Sequence, residues 1–310
     1  MRTVFMGTPD FAVPCLKRLH QLAEVIAVYT QPDRRQGRGL KTTPPPVKVA
    51  AEGLDIAVYQ PERLGRPNAW EQLKQLQPDL IVVVAYAQLL PRKVLQLPPQ
   101  GCINVHASLL PAYRGGAPIH WAILNGEAES GVTTMLMSEQ LDAGDILLQA
   151  RTPIGADETT GELHDRLAIL GADLLAETLH SLQQGQLQPR PQPQQGVSYA
   201  RNILKSDGLI DWSRPAAQIH NQVRGLNPWP AAFTWHGERM LRVWASRVLP
   251  EQEQGQPGEV LRLAAEGPVI ATGDGALVLI TVQPANKRRM SGADYARGYQ
   301  LEVGALLTMN

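Results

Sequence analysis

The chain has 310 residues, 44% hydrophobic and 19% charged, and its 29 basic and 29 acidic side chains cancel. That length fits two domains, because one hydrophobic core seldom grows past about 250–300 residues. The zero net charge excludes a uniformly basic nucleic-acid binder, so any surface for nucleic acid has to be a local patch.

The opening MRTVFMGTPDF is too short an apolar run for a signal-peptide core and reads as a first strand over Thr3–Met6. Further strands are predicted over Val25–Thr30, Ile56–Tyr59, Leu80–Ala85 and Cys102–Val105. The run LIVVVA, Leu80–Ala85, has no polar alternation, which suits a strand covered on both faces. Helices are predicted over Phe11–Leu22, Pro67–Leu76 and Pro118–Asn125. A further helix starts near Thr159, which has capping-box spacing to Glu162, and Leu163, Leu167, Leu170 and Leu174 then form one apolar stripe. This alternation argues an α/β, doubly wound, Rossmann-like domain over residues 1–185. Residues 186–200 open with QLQPRPQPQQGV, which has little to bury and reads as a linker. From 201 to 310 the pattern changes to short β-type runs, Ala232–Trp235, Met240–Trp244, Val269–Thr272 and Ala276–Val282, split by turn residues. They predict a small antiparallel barrel or sandwich.

The densest chemistry lies in GCINVHASLLPAYRGGAP, residues 101–118. In an open α/β sheet, ligands sit beyond the carboxyl ends of the strands. Asn104 and His106 are two apart, so an extended chain turns both to one face. An amide there can stabilise an oxyanion, and an imidazole can move a proton near neutral pH. By themselves the two residues fit a plain strand end better than a catalytic pair. Asp142, in LMSEQLDAGDI, can orient an imidazole or simply serve the turn. Residues 31–48 carry Arg34, Arg35, Arg38, Lys41 and Lys48; this basic loop suits phosphates or merely solvent.

Other signals are absent. MGTPDF is not the GxGxxG dinucleotide fingerprint, no P-loop exists, and the seven histidines show no metal spacing. Cys15 and Cys102 are too few and too distant for a disulfide framework, which points to a reduced, cytoplasmic setting. No run approaches the roughly 18 apolar residues of a membrane helix.

Taken in order, several segments resemble the methionyl-tRNA formyltransferases: GTPDFA, TQPDRRQGRG, PPPVK, VVAYAQLLP, GCINVHASLLPAYRGGAPI, LDAGD, IDW, NPWP, ATGDG and KRRMSGADYARG. The pair NVHxSLLP and LDxGD is common to transferases of this fold that use 10-formyltetrahydrofolate; the tRNA assignment rests on the other segments. The resemblance implies that Asn104, His106 and Asp142 are the catalytic trio. It implies that Ser108, Leu109, Leu110 and Pro111 line the folate site. Arg38 and Lys41 would fall in a loop that meets the tRNA acceptor stem, and Lys287, Arg288 and Arg289 in a basic segment of an OB-like second domain. The implied reaction moves a formyl group from 10-formyltetrahydrofolate to initiator methionyl-tRNA, without a metal, in a monomer with no membrane partner. The alternative is a related formyltransferase acting on a nucleotide-sugar amine.

Overall fold

A computed structural model describes residues 1–36, 41–249, 253 and 255–309. The chain forms two compact units. The first comprises Met1–Pro118, Glu129–Pro153 and His164–Ala200, and the second comprises Ile119–Ala128, Ile154–Leu163 and Arg201–Asn310.

Up to residue 200 the elements run β1 (Arg2–Gly7), α1 (Val13–Leu22), β2 (Glu24–Tyr29), β3 (Arg34–Gln36), β4 (Lys41–Thr43), α2 (Pro46–Glu52), β5 (Val58–Tyr59), α3 (Pro67–Gln75), β6 (Leu80–Val84), α4 (Arg92–Leu95), β7 (Cys102–His106), β8 (Arg114–Gly115), α5 (Pro118–Leu124), β9 (Glu129–Leu136), β10 (Ile146–Pro153), α6 (Thr160–Gln183) and β11 (Tyr199–Ala200). Seven strands form the main sheet, in the order β10-β9-β7-β6-β1-β2-β5. The pairs from β7 through β6, β1 and β2 to β5 are parallel, whereas β9 and β10 join antiparallel. The chain therefore builds outward from β1 to β5 and then returns to β6 on the other side of β1. This reversal is the switch point beside which doubly wound sheets bind ligands. Every residue of β6 is buried, as its unbroken apolar run requires in the sheet centre.

Three local features differ from expectation. The strand expected at Ile56–Tyr59 contracts to Val58–Tyr59, at the sheet edge with β2 as its partner. The three consecutive prolines, read as loop, start α2, because a proline at the first helical position has no amide hydrogen to lose. In the basic segment, β3 and β4 pair as a hairpin. At the start of α6 the capping box forms in both directions: Thr159 N donates to Glu162 Oε2 at 2.8 Å, and Glu162 N donates to Thr159 Oγ1 at 3.3 Å. Leu167, Leu174, Leu175 and Leu179 then turn inward along this helix, each contributing about 1.5–3 kcal/mol relative to exposure.

The stretch read as a linker lies along the first unit. Arg190 and Ile146 exchange backbone hydrogen bonds of 2.9 and 2.8 Å. β11 pairs in parallel with β8. Both attachments use the backbone, so they need none of the apolar side chains that this segment lacks.

The second unit adds α7 (Ala216–Gly225), β12 (Ala232–His236), β13 (Arg239–Val248), β14 (Val260–Leu263), β15 (Pro268–Ala271), β16 (Ala276–Pro284), β17 (Met290–Ser291), α8 (Gly292–Tyr299) and β18 (Leu307–Thr308). Its sheet runs β14-β15-β16-β13-β12-β18. Hydrogen bonds from Val260 N to Ala305 O and from Leu307 N to Gly258 O join its two edges. The sheet thus curls into a barrel of antiparallel strands, consistent with the expected OB-like domain. β13 bends through two register shifts, at Val243/Ala245 and Ala245/Ser246, the kind of irregularity that lets a strand coil. Ile219 and Val223 of α7 pack with Trp212, Leu277, Leu279 and Tyr295 in the core. Neither α7 nor α8 was expected from the β-type pattern. Among the described residues, no helix is long and apolar enough to cross a membrane.

Candidate active site

Asn104 and His106 occupy the last turns of the pleat in β7, beside the switch point, and are 8% and 6% exposed. The carboxylate of Asp142 reaches them from the loop between β9 and β10. Its Oδ2 lies 3.7 Å from Nδ1 of His106 and accepts a 2.8 Å hydrogen bond from the Gly115 amide. The other ring nitrogen, Nε2, is 3.0 Å from the Tyr113 carbonyl oxygen. A carbonyl can only accept, so Nε2 carries the proton and Nδ1 of a neutral ring presents its lone pair. The Asn104 side-chain amide makes no hydrogen bond to the described residues, and its polar atoms are not sealed from solvent although the residue as a whole is 8% exposed. Its N–H groups are therefore available to a molecule that enters the site.

The loops around this trio are tightly specified. Asp142 itself sits in the left-handed region, at φ 47, which aspartate tolerates better than most residues. A side chain at Gly144 would place its Cβ 1.7 Å from the Leu136 carbonyl oxygen. Gly115, at φ +121, would meet the Ala200 carbonyl oxygen at 2.6 Å. Both positions therefore need glycine. Between the Ser108–Pro111 stretch and β9, Thr133 acts as a rivet. Its hydroxyl donates to Ser108 O at 2.7 Å and accepts from Leu110 N at 3.1 Å and from Gln149 Nε2 at 3.0 Å.

Ser108 is 2% exposed and donates to Ala112 O at 2.6 Å. Leu110 packs with Met135 and Ile146, and Leu109 and Pro111 are half-buried. The Leu110–Pro111 peptide is cis. Arg38 lies outside the described residues, and Lys41 begins β4. In the second unit Lys287, Arg288 and Arg289 are exposed. The Arg289 guanidinium stacks 3.5 Å over the Trp244 ring, and Gln283 ties that ring to the loop by accepting from Trp244 Nε1 at 3.0 Å and donating to Lys287 O at 2.7 Å. Among the described residues, no group of three His, Cys, Asp or Glu side chains is placed to hold a metal ion.

Sequence reasoning passed over Thr133, Gln149, Tyr113, Arg114, Gln192 and Ser198. Tyr113 and Arg114 stood inside a flagged segment, but nothing in it distinguished a working carbonyl from a turn. Gln192 and Ser198 were hidden in a stretch whose composition resembles a solvated linker.

Residues 1–179 match the formyl transferase model, and residues 202–300 match the formyl transferase C-terminal domain. The chain belongs to the formyl transferase family. Its similarity extends beyond the shared motifs: the methionyl-tRNA formyltransferase of Citrifermentans bemidjiense is 52% identical over 308 residues, covering 99% of this chain and 96% of its own. That of Trichlorobacter lovleyi is 48% identical over 307 residues, with 99% and 96% covered. The resemblance read from the motifs thus holds over nearly the whole chain. Among solved structures, an N-formyltransferase from Helicobacter canadensis, in complex with folinic acid and dTDP-3-aminofucose, superposes with a TM-score of 0.70 at 19% identity. It covers 90% of this chain and 98% of its own, and that likeness speaks to the fold.

Proposed function

We propose that this chain transfers the formyl group of 10-formyltetrahydrofolate to the free amine of initiator methionyl-tRNA. Residues 1–185 carry the reaction, and residues 201–310 add contacts to the RNA. The observation that carries this reading is the Asp142 carboxylate 3.7 Å from the His106 imidazole, with the Asn104 amide two residues away on the same strand. The identity to relatives bearing that activity in their names supports the choice of acceptor. The enzyme works as a cytoplasmic monomer.

In the proposed mechanism the neutral methionyl amine attacks the formyl carbon, and negative charge builds on the formyl oxygen. Asn104 Nδ2 donates to that oxygen, an oxyanion-hole role. His106 accepts a proton from the attacking nitrogen at Nδ1, because the Tyr113 carbonyl keeps Nε2 protonated. Asp142, 3.7 Å away, stabilises the resulting imidazolium. His106 then delivers the proton to the departing N10 as its bond to the formyl carbon breaks. The amine has lost one hydrogen and N10 has gained one, so neither metal nor redox partner enters the balance. Ser108–Pro111 line the folate, held by Thr133. Arg38 and Lys41 meet the acceptor stem, and Lys287, Arg288 and Arg289 meet phosphates elsewhere on the RNA.

The test is a transfer assay with labelled 10-formyltetrahydrofolate and three acceptors: charged initiator tRNA, charged elongator methionyl-tRNA and an amino-sugar nucleotide. Formylation of the initiator tRNA is expected, and selective formylation of the sugar nucleotide would replace this reading by the alternative one. Asn104→Ala is expected to lower kcat by roughly 10²–10³.

A further inference from the structure

Gln192 lies 50 residues beyond Asp142 in sequence, in the proline- and glutamine-rich stretch that follows α6, yet it is only 9% exposed. Every polar atom of its amide is engaged. Its Nε2 donates to the Asp142 carbonyl and to the Gly144 carbonyl, both at 2.8 Å. Its Oε1 accepts from Nε of Arg114 at 3.1 Å and from Nη2 at 2.7 Å. The backbone on either side is fastened as well. Arg190 is paired with Ile146 at the start of β10, Ser198 Oγ accepts from Tyr113 N at 2.9 Å, and Ser198 O accepts from Arg114 N at 2.9 Å.

These bonds have a common target. The carbonyls that Gln192 holds belong to the loop that aims the Asp142 carboxylate. The arginine that it holds adjoins Gly115, whose amide binds that same carboxylate. One neutral amide thereby ties together the two chain segments whose separation fixes the distance from Asp142 to His106. An Asp142 backbone in the left-handed region is not a resting place for an unrestrained loop, so something must hold it.

We infer that Gln192 is a positioning residue for formyl transfer: it sets the Asp142 carboxylate against His106 by clamping residues 142 and 144 to Arg114. The inference rests on the mechanism proposed above. A displacement of the order of 1 Å in a catalytic group costs up to roughly a hundredfold, so Gln192→Leu, which keeps the bulk and removes all four bonds, is expected to lower kcat about 10- to 100-fold. The KM for charged tRNA is expected to stay the same, because the Gln192 side chain is buried and bonded within the protein. Gln192→Glu keeps an acceptor for Arg114 and places a carboxylate against the two carbonyls. It is expected to lose kcat as well, since an oxygen set against two carbonyl oxygens pushes the loop away.

The experiment is a double-mutant cycle on the full-length protein with Asp142→Asn, scored by kcat for charged initiator tRNA and by thermal melting. If Gln192 acts through Asp142, Gln192→Leu costs little further once residue 142 is asparagine, since coupled residues are not additive. An equal fold loss in both backgrounds, or wild-type kcat in Gln192→Leu, overturns the inference. If Gln192→Leu does not fold, the same cycle with Gln192→Glu decides. Full activity in Asp142→Asn alone is a different failure, for it removes the mechanism and leaves the clamp without a purpose.

Discussion

Replacing Asp142 by asparagine separates the charge of this side chain from its shape. The carboxylate is 11% and the imidazole 7% exposed, at 3.7 Å. At an effective dielectric of roughly 20, a full carboxylate–imidazolium pair at such a distance is worth about 4 kcal/mol. If the imidazolium forms only as the proton moves, that energy lowers the barrier alone, and its loss is about a thousandfold in rate. The Gly115 amide still finds an oxygen in the asparagine, so the loop is retained and the melting temperature changes little. Asp142→Ala lacks that oxygen and leaves a partly buried amide donor unmet, adding a stability cost of about 1–3 kcal/mol. The assay is single-turnover transfer to charged initiator tRNA, run beside thermal melts of the three proteins. A rate for Asp142→Asn within tenfold of wild type would refute the electrostatic role. Equal melting of the asparagine and alanine variants would refute the assignment of the Gly115 hydrogen bond.

Three further outcomes are expected. Removing Lys287, Arg288 and Arg289 together should weaken tRNA binding and flatten its salt dependence by roughly 0.7–0.9 log units per lost phosphate contact, with kcat at saturating tRNA intact; an unchanged slope in a binding titration over salt would clear this loop of contact. Burial pushes the Cys15 and Cys102 thiols up to about 12, Cys15 with a smaller push from Asp173. The native protein should therefore leave a thiol reagent unreacted at pH 8 and release two equivalents on denaturation, and one fast native equivalent would contradict their burial. Burial and then Arg239 hold the His236 imidazole below its ordinary range. The unfolded chain thus takes up that proton first, so the stability present above about pH 6.5 declines as the pH falls through that value. His236→Gln should lessen this decline between pH 7 and 5, and identical melting profiles for variant and wild type would remove His236 as its source.

The sequence showed most where one residue type answered one constraint. The run Leu80–Ala85 has no face for water, so it could only be a central strand, and β6 is buried throughout. The alternate spacing of Asn104 and His106 required a shared face, and β7 provides it. Asp142 was open to two readings because an aspartate in a glycine-containing loop serves a turn as readily as an imidazole. Here it does both, adopting the left-handed backbone while its side chain faces His106. The support of the site was illegible for a different reason. Thr133 and Gln192 act through hydrogen bonds to backbone and side-chain atoms far away in sequence, and such bonds impose no periodicity. Helices α7 and α8 were missed because their apolar residues are few and fall among strand-like runs, so a local window could not tell their period.

The order of the chain has a consequence for how the molecule is made. Every strand of the large sheet has been synthesised by Pro153, and α6 closes at Gln183. The seven-stranded sheet and α6 thus precede Arg190, Gln192 and Ser198 in the order of synthesis. A nascent chain at that stage has the scaffold and the reacting groups without the strap that fastens them. The strap therefore comes after the strands that it fastens, and a chain cut just behind α6 would carry Asn104, His106 and Asp142 without Gln192 to clamp residues 142 and 144.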